Sequence, residues 1–164
     1  LSAESAAGDY PIEAVSMTIR ILCATELDPL QTNTMQAVRA LRTTTSSDAI
    51  SAAIRTVAET LPVAATVAYT SSGSSALRVA HERPKTPILS MTPNLAVARR
   101  LTLVWGVHST QAVDIQSIDE VAEHATAEVM RHGFGESGRA VLIAAGTPFG
   151  VSGTTNLLRI AWLA

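Results

Sequence analysis

Residues 63–83 read VAATVAYTSSGSSALRVAHER, and this stretch decides the fold class. The run of small and β-branched apolar residues at 63–69 predicts a strand that is buried on both faces. Hydroxyl-bearing residues around Gly73 form a turn, and an amphipathic helix follows at about 74–82. A strand that passes through a glycine turn into a helix is the first half of a βαβ unit.

The same alternation continues on either side of that stretch. Further strands are predicted at 88–91, 103–108, 140–145 and 157–163, and further helices at about 11–22, 47–61, 94–102 and 118–131. Apolar strands that alternate with amphipathic helices are typical of crossover connections over a mostly parallel sheet. We therefore predict an α/β fold in three layers, α/β/α, with a five-stranded sheet whose last strand is antiparallel.

The apolar spacing weakens between 26 and 46, where Pro29 and clusters of threonine and serine interrupt the helical pattern. We predict a connecting segment at residues 26–46, a separate segment at residues 1–25 and an α/β domain at residues 47–164. The chain begins with Leu1 in a sequence typical of the middle of a protein. We therefore expect it to be a piece of a longer chain.

Composition excludes several classes of function. A chain of 164 residues with 47% hydrophobic residues and a net charge of −2 can fold around a core and has no basic patch for nucleic acid. No run of eighteen apolar residues and no signal peptide is present, so we expect no membrane partner. The single cysteine, Cys23, fits a reducing, cytoplasmic location.

The loop after the first predicted strand is a candidate phosphate cradle. Its residues are Thr70, Ser71, Ser72, Gly73, Ser74 and Ser75. A glycine allows a tight turn, backbone N–H groups can point inward, and the following helix contributes its positive end. A capped turn without a ligand has the same composition, so the residues alone leave both interpretations open.

A second loop, GTPFGVSGTTN at 146–156, follows the strand at 140–145. It can close over a ligand or simply cross the end of the sheet, and its candidate ligand-binding residues are Gly150, Ser152, Gly153 and Thr154. The four histidines show no spacing typical of metal ligands, and the carboxylates fit a solvated helix face. We predict no catalytic residue and no metal site in this chain.

Five stretches resemble the pyruvate kinase family and occur in its order. They read LSAESAAGDYPIEAV, AISAAIRTVAETL, YTSSGSSALRVAHERPKTPILSMTPN, ARRLTLVWGVHS and GTPFGVSGTTNLLRI. The resemblance implies that residues 1–25 end a catalytic (β/α)₈ barrel and that 47–164 form the C-terminal regulatory and assembly domain. It also implies a cytoplasmic, glycolytic, homotetrameric kinase that transfers phosphoryl from phosphoenolpyruvate to ADP with Mg²⁺ and K⁺. The family's catalytic and metal-binding residues lie earlier in the barrel, so we expect this chain alone to hold no cofactor and to be inactive.

In allosterically regulated members of the family, the loop that matches residues 70–75 holds an effector phosphate. The arginine that the family often has in this loop is Ser74 here, and the positions that meet a second phosphate correspond approximately to Asp114 and Val121. Neither side chain is cationic. The resemblance therefore favours AMP or a sugar monophosphate over fructose 1,6-bisphosphate.

The resemblance also makes the apolar tail at 157–163, with Trp162, a candidate strand for self-association. The alternative, a strand packed within its own domain, stays open. A different reading of the serine-rich loop is a phosphosugar-binding, isomerase-like α/β domain. That alternative requires a catalytic base near the loop.

Overall fold

A computed structural model describes residues 2–28, 30, 45–151 and 153–164. The chain divides into two compact units, Leu1–Thr43 and Thr44–Ala164. The first unit contains α1 (Ala3–Ala6) and α2 (Pro11–Glu26), and α2 has its proline in the first turn. α2 is longer than predicted because no glycine or proline interrupts the sequence between Pro11 and Pro29.

The second unit is the α/β domain. Its elements in order are α3 (Ser46–Thr60), β1 (Val63–Tyr69), α4 (Ser74–His81), β2 (Ile88–Thr92), α5 (Leu95–Leu101), β3 (Val107–Gln111), α6 (Ile118–Arg131), β4 (Ala140–Ala145) and β5 (Leu157–Trp162). The five strands follow the order β3-β2-β1-β4-β5. β1 pairs in parallel with β2 and β4, β2 pairs in parallel with β3, and β5 runs antiparallel to β4. The predicted fold class is confirmed.

Helices cover both faces of the sheet. Ile54 of α3, Val79 of α4 and Leu101 of α5 pack in one core cluster, and α6 contributes Val121 and other apolar residues to a second cluster. β1, β2 and β4 are buried at every position. This explains their almost unbroken apolar sequences, because residues on both faces of a central strand meet a helix layer.

The predicted position of the third strand, 103–108, is wrong. Leu103 is 88% exposed, and residues 102–106 form turns that end at Gly106, whose φ is +69°. β3 begins only at Val107, which is in register with Ile88 of β2. β3 is an edge strand that pairs only with β2, so it does not need to be buried on both faces and can consist of polar and half-exposed residues. The apolar run before it does not pair with β2.

The start of α3 also differs from the prediction. The predicted helix begins at residue 47, whereas α3 begins at Ser46 and is capped by Thr45. The Thr45 hydroxyl accepts from the N–H of Asp48, and the Asp48 carboxylate accepts from the N–H of Thr45. This reciprocal pair is a capping box. The predicted connecting segment lies largely outside the described residues. Within the described ranges, no helix is both long and apolar enough to cross a membrane.

Candidate functional site

The two candidate loops lie at the same edge of the sheet. β1 and β4 are parallel neighbours, so the loop after Tyr69 and the loop after Ala145 both leave the carboxyl ends of their strands. The helix after β1 and the helix before β4 pack on opposite faces of the sheet. This arrangement is a topological switch point, where open α/β sheets bind ligands in the crevice between diverging loops.

Gly73 gives the first loop its shape. Its φ of +91° lies in the left-handed region, and its N–H donates to the Thr70 hydroxyl at 3.0 Å. A Cβ at this position would lie 3.2 Å from Cγ1 of Val97, so the loop backbone packs closely against α5. α4 begins at the next residue, and its first two residues, Ser74 and Ser75, line the crevice between the loops.

The serine hydroxyls of this loop have different surroundings. The Ser72 hydroxyl donates to that of Ser74 at 3.1 Å, in a partly buried position. The Ser75 hydroxyl lies 2.7 Å from the hydroxyl of Thr155, and Ser75 is only 4% exposed. Ser75 therefore connects the first loop to the second in this structure.

The second loop is closed at its base by the side chain of Asn156. The N–H of Thr147 donates to Asn156 Oδ1 at 2.9 Å, and Asn156 Nδ2 donates to the Thr147 carbonyl at 2.6 Å. The backbone of Gly146 lies so close to Thr154 that an added Cβ would clash with its carbonyl oxygen. Both arms of the loop are thus held together next to β4.

Of the candidates in this second loop, Gly150 and Gly153 have positive φ values of +84° and +87°. The Thr154 hydroxyl donates to the Val151 carbonyl within the loop at 3.1 Å. Ser152 lies outside the described residues. The glycines allow the loop to fold back toward the crevice.

A cavity of about 40 Å³ lies between the two loops. Its lining includes predicted site residues from both loops, namely Thr70, Ser71, Ser74, Ser75, Gly150, Gly153 and Thr154, together with Tyr69, Pro93, Asp114, Gly146, Phe149 and Val151. Ser72 and Gly73 do not line it. This volume corresponds to a few water molecules.

The cavity has an acidic wall. Asp114 lines it, and no lysine or arginine does so among the described residues. The hydroxyl of Tyr69 donates to Oδ1 of Asp114 at 3.5 Å, and it accepts from the N–H of Ile115 at 2.8 Å. Burial raises the pKa of Tyr69, and the negative charge of Asp114 raises it further, so the phenol stays neutral beside the carboxylate. Val121, the other position considered for a second phosphate, is fully buried in the core.

Sequence reasoning missed several residues of this site, among them Tyr69, Phe149 and Thr155. The rings of Tyr69 and Phe149 meet edge to face with centroids 5.9 Å apart. In the sequence, Tyr69 ends an apolar run typical of a buried strand, and no local pattern links Thr155 to a serine 80 positions away. The described residues also contain no group of three or more His, Cys, Asp or Glu side chains able to hold a metal ion.

The comparisons with known proteins match the whole described domain. Residues 48–161 match the family model described as "Pyruvate kinase, alpha/beta domain". A pyruvate kinase of Methylorubrum extorquens is 43% identical over 163 residues, which cover 99% of this chain and 34% of that protein. A pyruvate kinase of Geobacillus stearothermophilus is 41% identical over 161 residues, which cover 98% of this chain and 27% of that protein.

The pyruvate kinase 2 of a Synechocystis strain is 38% identical over 160 residues, which cover 98% of this chain and 26% of that protein. The chain therefore spans about a third or less of the length of these relatives. The matches favour the kinase-domain interpretation over the phosphosugar-isomerase alternative.

Proposed function

We propose a function from the premise that this chain belongs to the pyruvate kinase family, as its C-terminal α/β domain. In this proposal, residues 47–164 are the effector-binding and assembly domain of a longer pyruvate kinase, and residues 1–25 end its catalytic barrel. The whole enzyme transfers phosphoryl from phosphoenolpyruvate to ADP. In this proposal its Mg²⁺ and K⁺ are held by residues earlier in the barrel, as the family resemblance implies. The chain alone is inactive.

The observation that carries the proposed effector site is the meeting of two loops at the switch point. The residues at 70–75 combine a left-handed glycine, several hydroxyls and the amino-terminal end of α4. These groups suit a phosphate, which accepts hydrogen bonds from N–H and O–H donors and is attracted to the positive end of a helix. The glycines of the second loop allow it to fold over the bound molecule.

Asp114 supports the choice of effector class. A ligand with one phosphate can place it at residues 70–75 and turn its neutral hydroxyls toward the carboxylate, which accepts hydrogen bonds. A second phosphate beside Asp114 would meet a like charge, and no cation lines the cavity within the described part of the chain. AMP or a sugar monophosphate therefore fits better than fructose 1,6-bisphosphate.

Calorimetric titration of the chain tests this proposal. We expect AMP or glucose 6-phosphate to bind at least about tenfold more tightly than fructose 1,6-bisphosphate. The variant Ser72→Asp places a negative charge in the loop and should abolish binding. Ser137→Asp adds the same charge at an exposed residue of the turn before β4 and should leave binding unchanged. Tighter binding of the bisphosphate, or no binding of any of these ligands, contradicts the proposed effector.

We also propose that the domain self-associates through β5. Ile160 and Trp162 lie on the same face of this edge strand and are 41% and 56% exposed. An apolar edge strand has unpaired backbone N–H and C=O groups, with which a strand of a second copy can pair. Ile160→Lys should lower the mass measured by analytical ultracentrifugation, whereas Leu103→Lys, at an exposed turn residue, should not. A monomeric wild-type chain at high concentration contradicts this assembly role.

A further inference from the structure

The proposed phosphate site has one physical deficit, which is its lack of positive charge. The residues that line the cavity include an aspartate and no lysine or arginine. A phosphate monoester carries almost two negative charges at neutral pH. Helix ends and hydroxyls supply partial charges only, so tight binding of such an anion calls for a cationic side chain near the loop.

Arg100, at the end of α5, brings a positive charge to the loop at 70–75. Its Nη2 donates to the carbonyl of Ser72 at 2.7 Å. The same nitrogen lies 3.5 Å from the position that a Cβ would occupy on Gly73. The guanidinium therefore rests on the backbone of the loop itself, although it belongs to a different element of the fold.

The packing of α5 fixes this placement. Leu101, adjacent to Arg100, is fully buried, and both Leu101 and Val97 lie within van der Waals distance of a Cβ built on Gly73. The absence of a side chain at Gly73 lets the loop approach α5 closely enough for Arg100 to reach Ser72. The close packing of Gly73 against α5 thus sets both the conformation of the loop and the position of Arg100.

We propose that Arg100 is the cationic residue of the effector site and binds the phosphate group together with the N–H and O–H donors of residues 70–75. This inference rests on the proposed effector function. A guanidinium has five N–H donors, and the bond to Ser72 uses one of them. The remaining donors form a fork that matches phosphate oxygens, and the bond to Ser72 reduces the rotamer freedom lost on binding.

The test is a titration of three variants with AMP, with adenosine as the probe that lacks a phosphate. Arg100→Gln should lower the affinity for AMP about tenfold and reduce its dependence on salt concentration. Arg100→Lys keeps the charge but loses the fork of N–H donors, so its affinity for AMP should lie between those of the wild type and Arg100→Gln. Arg99→Gln removes an equal charge from the neighbouring exposed residue of α5 and should change nothing.

These outcomes separate the inference from the function on which it rests. If the wild type binds AMP and Arg100→Gln binds it equally well with the same salt dependence, Arg100 is not the cation and the effector site stands. An Arg100→Lys variant as weak as Arg100→Gln also overturns the inference, because the loss would then follow from the contact with Ser72 rather than from charge. If the wild type fails to bind AMP and glucose 6-phosphate, both proposals are overturned.

Discussion

The hydroxyls of Ser75 and Thr155 lie 2.7 Å apart in a fully buried contact that joins the two loops of the site. The contact continues to a third element, because the N–H of Thr155 donates to the hydroxyl of Ser47 in α3 at 3.1 Å. The start of α4, the second loop and the start of α3 are therefore held by one chain of hydrogen bonds.

Removal of one hydroxyl from this contact should destabilise the domain. Ser75→Ala leaves the Thr155 hydroxyl buried without its partner, and we expect a loss of about 1–3 kcal/mol in the free energy of unfolding. The double variant Ser75→Ala/Thr155→Val should lose less than the sum of the single variants. Urea unfolding measures all three, with Thr154→Val as the control because its hydroxyl bonds within its own loop. Additive losses would show that the two hydroxyls do not interact.

Gly73 should tolerate substitution poorly. Gly73→Ala forces a side chain into the left-handed region and brings its Cβ to 3.2 Å from Val97. Gly138 has a similar φ of +82° but no atom within 4 Å of an added Cβ, so Gly138→Ala carries the backbone cost alone, about 1–2 kcal/mol. We expect Gly73→Ala to lose about 1 kcal/mol more than Gly138→Ala in urea unfolding. Equal losses would mean that the close approach to α5 is relaxed in solution.

The charge of Asp114 should be detectable at Tyr69. Asp114→Asn removes the negative charge that disfavours the phenolate, so the pKa of Tyr69 should fall, while burial, the larger cause, keeps it above its ordinary value of 10.0. The chain has two tyrosines, so a Tyr10→Phe background assigns the phenolate absorbance to Tyr69. An unchanged titration curve would indicate that the carboxylate points away from the phenol.

Asp48 should make the stability of the domain depend on pH in the acid range, because its pKa is lowered in the folded state. Hydrogen bonds from the Thr45 hydroxyl and then from the Thr45 N–H hold the pKa of Asp48 below its ordinary value of 3.8, and Arg78 adds to this effect. A lowered pKa contributes stability that is present above the ordinary value and is lost as the pH falls through the lowered one. Below about pH 4, the unfolding free energy of the Asp48→Asn variant should therefore vary less with pH than that of the wild type.

Thr45→Val is the companion variant, since it keeps the carboxylate and removes the largest cause of the lowered pKa. It should flatten the same pH dependence in part. The measurement is urea unfolding at a series of pH values. If both variants keep the wild-type dependence of the unfolding free energy on pH, other groups in the chain cause the acid sensitivity.

Most of the fold could be predicted because its signals are local. β1 and β4 are central strands, and their unbroken apolar sequences follow from burial on both faces. The position of β3 could not be predicted in the same way. An edge strand needs little apolar sequence. Of the apolar residues before it, Val104 packs against the core, whereas Leu103 is exposed and is not explained by burial within this domain.

The candidate site was predictable as two loops but not as one arrangement of side chains. A glycine among serines between a strand and a helix is a local signal, and so is a long loop with three glycines. The contacts of Thr155 with Ser75 and of Arg100 with Ser72 join residues 80 and 28 positions apart. Such contacts depend on how the elements pack, and composition and spacing do not encode them.

The sheet order β3-β2-β1-β4-β5 has a consequence for how such a domain can diversify. The crevice exists because the chain reverses its direction of winding between β1 and β4, so its presence does not depend on the side chains that line it. Replacement of the loops at 70–75 and 146–156 can therefore change which small molecule fits the crevice while the buried strands keep the same sequence. A fold of this kind permits a new binding specificity to arise without a new scaffold.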